Sequence, residues 1–394
     1  MKAKKKFNYK NLIDYVGTHP YKVSMDASTF CQLNCPLCPN GKYRLKDTVI
    51  GRGYLKFENF KKFLDQNPNI RIIELANYGE VFLNPDLRKI LEYSNKKDVR
   101  LTIFGGANLN ELDEKTAEAI IKYKLRGLSV SIDGATNKTY KIYRKGGNFN
   151  RVIKNIKLIN KYKKIYHSEF PLLFWQFVIM GHNEHEIPLA KKMAHKLNMT
   201  FSPKLNWDSS FSPIKNLDFV KKQVGIENIS AEDFEKENKL PYLLTCFQVW
   251  ESPQINWNGE LLGCCVNLKK NFGNVFEEGL EKCLNKEEYK KVKDFLLGKT
   301  NMNVLCSTCS AYKTILENPL KKRDLVQYII NAMKTNLSNS EIKKILDNFS
   351  FAFYQNIRIR IDTQKILGKI GIVVKRISPR LYFKLKKIKE QTEK

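Results

Sequence analysis

The sequence predicts an α/β protein built on a parallel sheet, and the alternation of its elements carries that prediction. Over residues 1–205, six short strand-like runs alternate with helical stretches. Strands separated by helices in this way pair in parallel, through right-handed crossovers. Beyond them the pattern gives way to a cysteine-rich extension and then a basic, helical tail. The expected divisions are 1–235, 236–318 and 319–394. For 394 residues, one large domain followed by smaller units is the natural arrangement.

The strands are expected at 21–27, 70–76, 100–104, 125–132, 172–179 and 199–203. Helices are expected between them at 58–65, 85–95, 113–124, 150–163 and 184–197. Asn84-Pro85 marks one helix start, because proline suits a first helical turn, and Asp113 marks another as an N-cap. The fourth strand carries a polar row: Ser129, Ser131 and Asp133 share one face while apolar residues share the other. A strand covered on both sides reads as continuous apolar sequence, so this row faces either a hydrated lumen or solvent at a sheet edge. Gln176 and Lys204, on the fifth strand and after the sixth, either point inward, lie at the surface or serve in structural pairing.

Composition narrows the class. The apolar fraction is 42%, ordinary for a folded protein, and no run of eighteen apolar residues suggests a membrane span. Met1-Lys2-Ala3-Lys4-Lys5-Lys6 lacks the apolar core of a secretion signal, so a cytoplasmic protein is expected. In that compartment nine cysteines suggest metal or cluster ligation before disulfides. The net charge of +29 is lysine spread along the whole chain, without the concentrated arginine and aromatics of a specific nucleic-acid binder. No specific nucleic acid is expected.

Cys31, Cys35 and Cys38 form a C-x3-C-x2-C triplet on the loop after the first strand. Three thiolates so spaced can hold three irons of a [4Fe–4S] cube and leave the fourth iron open. A zinc knuckle or buried small side chains is the plainer alternative. Zinc wants a fourth ligand nearby, yet the first histidine after the triplet is His167 and the next cysteine is Cys246.

The triplet resembles that of the radical S-adenosylmethionine (radical SAM) enzymes, and six βα units resemble their partial (β/α)6 barrel. The resemblance implies a [4Fe–4S] cluster whose open iron is chelated by SAM, giving a 5′-deoxyadenosyl radical on reduction. It also implies site residues. Leu37 holds the apolar position near the adenine. Tyr78-Gly79-Glu80 resembles the family's Gly-Gly-Glu element for the methionyl ammonium, with Tyr78 in place of the first glycine. Ser131 and Asp133, followed by the aromatic and basic run 140–144, lie near the SAM ribose and carboxylate. Asp133 has a plainer role too, as the cap of the helix that follows it. Phe104-Gly105-Gly106 departs from the family's Thr-Asn-Gly.

Cys246, Cys264, Cys306 and Cys309 form a second set of thiols. Asn258-Gly259, between the first two, signals a hairpin over 255–262. The layout resembles the SPASM/Twitch extension and implies one auxiliary [4Fe–4S] cluster, with structural zinc the alternative. Cys265 is expected to face away from the set, and Cys283 to pack in a helix core.

The function so implied is hydrogen abstraction from a substrate C–H bond by an oxidoreductase-type enzyme. An external electron donor such as flavodoxin or ferredoxin is required. The single auxiliary cluster resembles that of members that oxidise small polar, carbohydrate-like molecules, which is the substrate class expected here. A peptide or protein maturase is the alternative, although thirty residues before Cys31 leave no room for an N-terminal peptide-recognition domain. A non-catalytic zinc or nucleic-acid-binding protein is the second alternative. The catalytic residues acting on substrate are unassigned. In the tail, 355–394 holds twelve Lys/Arg against three Asp/Glu, and Leu381, Leu385 and Ile388 recur at helical spacing. This segment either caps its own domain or meets a membrane surface or an acidic partner.

Overall fold

The computed structural model describes residue 13 and residues 15–342, apart from 42–44, 46, 240–241, 243–244, 302–304 and 310. The parallel α/β prediction holds. Strands β1 (Lys22–Met25), β2 (Ile72–Glu74), β3 (Arg100–Ala107), β4 (Gly127–Ser131), β5 (Leu172–Val178) and β6 (Thr200–Lys204) lie side by side in chain order. Among the described residues β6 does not pair with β1, so the barrel is partial.

Helices α1 (Phe57–Gln66), α2 (Leu87–Lys96), α3 (Glu114–Lys122), α4 (Asn137–Tyr143), α5 (Phe149–Ile165) and α6 (Ile187–Lys196) connect the strands. Each turns an apolar stripe inward. In α5, Phe149, Val152, Ile156 and Ile159 recur every third or fourth residue and are buried. Asp113 caps α3, its side chain accepting from the Thr116 N–H. The Asn84-Pro85 start shifts: α2 begins at Leu87, so Pro85 lies ahead of the first turn. The buried Asn84 side chain explains this, since it donates to the carbonyls of Ala27 (2.6 Å) and Leu55 (3.0 Å) and accepts from Asp86 N (2.7 Å). Those bonds hold the chain in a turn before the helix can start.

β3 runs to Ala107, past its expected end, with an irregular register between Ile103 and Ala107. The predicted hairpin forms from β7 (Gln254–Ile255) and β8 (Leu261–Gly263). It does not stand apart from the barrel. β7 pairs in parallel with β1, extending the sheet to eight strands in the order β6-β5-β4-β3-β2-β1-β7-β8. An open barrel leaves the β1 edge with unpaired amides and carbonyls, and the hairpin satisfies them.

Helices α7 (Leu217–Val224), α8 (Ala231–Asn238), α9 (Gln248–Glu251), α10 (Leu280–Leu284), α11 (Glu287–Leu296), α12 (Tyr312–Glu317) and α13 (Lys322–Asn336) complete the described chain. α13 returns to the barrel: Tyr328 stacks on Phe247 at 4.5 Å, and Arg100 at the start of β3 donates to the Asn336 carbonyl at 2.6 Å. The basic stretch 355–394, with Leu381, Leu385 and Ile388, lies outside the described residues. No described helix is long and apolar enough to cross a membrane.

Candidate active site

The loop from β1 to the triplet is clamped from three sides. Asp26, fully buried, accepts from Tyr78 N (3.2 Å) and from Gln254 Nε2 (3.1 Å), tying the end of β1 to the β2 loop and to β7. Thr29 and Gly53 exchange hydrogen bonds, Thr29 N to Gly53 O at 3.0 Å and Gly53 N to Thr29 Oγ1 at 2.9 Å. Gly79 supplies the third contact. Its φ is +79°, and a Cβ there would lie 2.3 Å from Ser28 O and 2.7 Å from Thr29 Cα. Only glycine accepts both the conformation and the approach. Gly79→Ala is therefore expected to cost about 1–3 kcal/mol and to push the triplet loop outward. Urea unfolding together with iron content of the reconstituted protein checks this.

Cys31, Cys35 and Cys38 gather with Leu37 around Leu33, Tyr143, Val178, Met180 and Phe211. Burial, then the Glu80 carboxylate and the other two thiols, pushes the Cys31 thiol up to about 12. Burial raises Cys35 as well, opposed by the Arg144 guanidinium, whose Nη1 lies 3.9 Å from the Cys35 sulfur. Asn108 Nδ2 lies 3.8 Å from the Cys31 sulfur, and Leu33 N donates to it at 3.4 Å. Grouped thiols that resist ionisation in the absence of a cation, with amide donors already aimed at sulfur, suit a bound iron–sulfur cluster. Among the described residues no three Cys, His, Asp or Glu side chains converge as ligands of a single ion. A cube takes each thiolate on a different iron and so asks for sulfurs around a space.

Glu80 is buried beside Cys31, and both of its oxygens already serve the backbone. Oε2 accepts from Asn108 N at 2.6 Å and Oε1 from Phe82 N at 3.4 Å. Burial outweighs those bonds and raises the carboxyl to about 7. This side chain thus also braces the Asn108 loop against the triplet, a task that the motif did not suggest.

β4 sits in the middle of the sheet, so its polar row faces the lumen and not solvent at an edge. Ser129 Oγ donates to Gln176 Oε1 and Gln176 Nε2 donates to Ser131 Oγ, each at 3.4 Å. Gln176 and Lys204 both point inward, linked by Lys204 Nζ donating to Gln176 Oε1 at 2.6 Å. The capping role for Asp133 is ruled out. Thr136 caps α4, while Glu186 anchors the turn by accepting from Ala135 N and the Thr136 and Thr139 hydroxyls. Asp133 instead pairs with Arg144 (Nε to Oδ2, 2.6 Å) and accepts from Val178 N at 2.7 Å. Asp133→Ala leaves a buried guanidinium and a buried amide without their partner, and a loss of about 3–5 kcal/mol is expected in urea unfolding.

The second set converges as well. Cys246, Cys264, Cys306 and Cys309 line one cavity of about 400 Å³ whose other walls are mainly apolar, among them Leu262 and Phe272. Burial raises every one of these thiols, Cys264 to about 11 and Cys306 to about 12. For Cys246, Cys264 and Cys306 the neighbouring thiols add to it. Cys265 does not line the cavity; its carbonyl accepts from Asn77 Nδ2 at 3.0 Å, on the β2 side. Cys283 is fully buried in the core. Tyr78 packs with Leu45, Ile50, Leu262 and Leu268, and the two last also wall the cavity. It therefore sets the β2 loop against the wall of the thiol cavity.

Sequence reading passed over Asp26, Asn108 and Glu74. Glu74 sits inside β2 and accepts from Thr102 Oγ1 (2.5 Å), Phe104 N (2.6 Å) and Gly105 N (3.0 Å). A carboxylate within an apolar strand was the available signal for Glu74 and, at the end of β1, for Asp26. Asn108 had no such signal, since its partners are distant in sequence.

An open parallel barrel with a thiol triplet beyond its first strand, and a second thiol group on a sheet extension, is the architecture of an iron–sulfur radical SAM protein. The chain carries a radical SAM superfamily domain, whose model matches residues 25–187. Residues 246–310 match the SPASM iron–sulfur cluster-binding domain. A radical SAM domain binds a [4Fe–4S] cluster and SAM, and a SPASM domain binds auxiliary iron–sulfur clusters. Over 286 residues the chain is 22% identical to the antilisterial bacteriocin subtilosin biosynthesis protein AlbA of Bacillus subtilis (strain 168). That match covers 68% of this chain and 60% of the relative's length. Streptococcus suis SuiB bound to S-adenosylmethionine shares the fold, with a TM-score of 0.56 at 17% identity, covering 78% of this chain and 74% of SuiB. SuiB bound to precursor peptide SuiA aligns with a TM-score of 0.55 at 16% identity, covering 80% and 75%.

Proposed function

We propose that this chain is a radical SAM enzyme that abstracts hydrogen from a C–H bond of a peptide or protein. The observation that carries the chemistry is the gathering of Cys31, Cys35 and Cys38 at the strand ends, beside a polar lumen. The peptide class is supported by the name of AlbA, a bacteriocin biosynthesis protein, and by the precursor peptide bound to SuiB. The small carbohydrate-like substrate expected from a single auxiliary cluster has less support than a peptide.

In this reading Cys31, Cys35 and Cys38 hold the SAM-binding cluster, and Cys246, Cys264, Cys306 and Cys309 hold the auxiliary one. When bound, cluster and SAM supply a 5′-deoxyadenosyl radical. The chain orients the cofactor. Leu37 packs by the adenine, and the backbone at Tyr78 and Gly79, with Glu80, receives the methionyl ammonium. Ser131 and Asp133 lie toward the ribose and carboxylate. The apolar wall of Tyr143, Val178 and Met180 keeps water from the triplet. A cytoplasmic setting with a flavodoxin or ferredoxin as reductant fits an enzyme that depends on reduced thiols.

The test uses full-length, anaerobically reconstituted protein with SAM and dithionite. It should form 5′-deoxyadenosine, and deuterium from a C–D-labelled peptide encoded beside its gene should appear in that product. Absence of 5′-deoxyadenosine would overturn the radical reading. Deuterium arriving from a labelled aminocyclitol and not from peptide would overturn the substrate class.

A further inference from the structure

The strand ends hold a partly buried cation that the proposed cofactor site does not use. Lys204 closes β6, and its Nζ donates to the neutral amide oxygen of Gln176 at 2.6 Å. The carboxylates that reach it electrostatically are Asp133 and Glu74, and both are committed elsewhere. Asp133 pairs with Arg144 and Val178 N, while Glu74 takes Thr102 Oγ1 and the amides of Phe104 and Gly105. Burial accordingly pushes the Lys204 ammonium down to about 8. Keeping an ammonium here, with only an amide to meet it, costs stability unless an anion arrives.

The surroundings leave room for one. Gly105, in the last part of β3, is exposed. Gly106, at φ +111°, would place a Cβ 2.5 Å from Ser131 Oγ, so this strand end has to stay bare. Gln176 is fixed by Ser129 and Ser131, which orients its oxygen toward Lys204. The ends of β4 to β6 thus bring Ser131, Gln176 and Lys204 together beside the bare end of β3. The cation next to the triplet is a different one, Arg144, at 3.9 Å from the Cys35 sulfur.

We infer that Lys204 is a substrate-positioning residue that receives a carboxylate of the peptide, from an acidic side chain or from the chain terminus. This rests on the peptide reading above. There the ammonium gains a charge-assisted bond, and the bound chain is held by a group remote from the C–H bond.

The test reads the reactivity of Lys204 in the full-length, cluster-loaded protein. The amine is acetylated with N-hydroxysuccinimidyl acetate at pH 8 and the rate at Lys204 is followed by peptide mass spectrometry. The arms are no addition, SAM alone, and SAM with Ac-Ala-Glu-Ala-NH2, Ac-Ala-Gln-Ala-NH2 or Ac-Ala-Ala-Ala-OH. Slowing of about tenfold by a carboxylate probe, equal to about 1.4 kcal/mol, is expected, with no effect of the Gln probe or of SAM alone. Whether the Glu or the free-terminus probe protects identifies the source. Protection by SAM alone would assign Lys204 to the cofactor's carboxylate. Equal labelling in every arm would make it a structural lysine, and either result overturns the inference. Lys204→Met supplies a second readout: the unfolding midpoint should hold or rise, whereas a fall of more than ~2 °C would mark a lysine required by the fold. Wild-type 5′-deoxyadenosine formation tests the radical reading separately, so the two can fail independently.

Discussion

Replacing Cys31, Cys35 or Cys38 with Ala will abolish reductive cleavage of SAM to 5′-deoxyadenosine under dithionite. A cube takes each thiolate on a different iron, and among the described residues no fourth cysteine packs with the triplet. Iron should fall by about four of roughly eight per chain, the content of one cube in two. The barrel should remain folded. The thiols pack in a small cluster of their own, apart from the main core that holds β1 to β6 and their helices, so circular dichroism should be unchanged. Normal cleavage in any of the three variants would sink the assignment of this triplet.

The double variant Cys306→Ala/Cys309→Ala should also lose about four of roughly eight irons, yet still cleave SAM slowly. Both residues line the apolar cavity with Cys246 and Cys264, so their loss leaves two thiols facing it, too few to hold a cube. The triplet is untouched, because β1 and the β2 loop are clamped by Asp26, Thr29 and Gly79 and not by this cavity. Iron and sulfide analysis with cleavage assays on the same samples gives the answer. Unchanged iron, or zinc in its place, would disprove the auxiliary cluster.

Taken together the two variants separate the cofactor halves of the molecule. The first removes the chemistry at its source, while the second leaves SAM cleavage and removes whatever the second site contributes to the substrate. The Lys204 experiment then addresses substrate alone. A variant that weakened all three measurements at once would report unfolding, which is why the Asp133→Ala change, expected to destabilise, is unsuited to this purpose.

The alternation of six strands and helices was legible in the sequence because period-2 and period-3.6 patterns are local and each element shows its own face. So were the triplet, the later thiols and the polar row of β4, since spacing and residue type stay visible without neighbours. Other features depended on which segments met. The hairpin around Asn258-Gly259 was evident as a hairpin, but its place beside β1 was decided by an open barrel edge needing partners. Asp133 read as a SAM contact with a helix cap as the plainer alternative, and that alternative was closed only by Arg144 against it and Thr136 at the helix start. Glu80 read as a ligand for an ammonium, while the fold also gives its oxygens to Asn108 and Phe82. Lys204 read as suited to surface or lumen, and only its contact with Gln176, with Asp133 and Glu74 already taken, left it as a partly buried cation at the strand ends. Chemistry and periodicity are properties of residues and are written along the chain. Pairing, burial and unmet charge are properties of contacts between distant segments, and only the folded structure decides them.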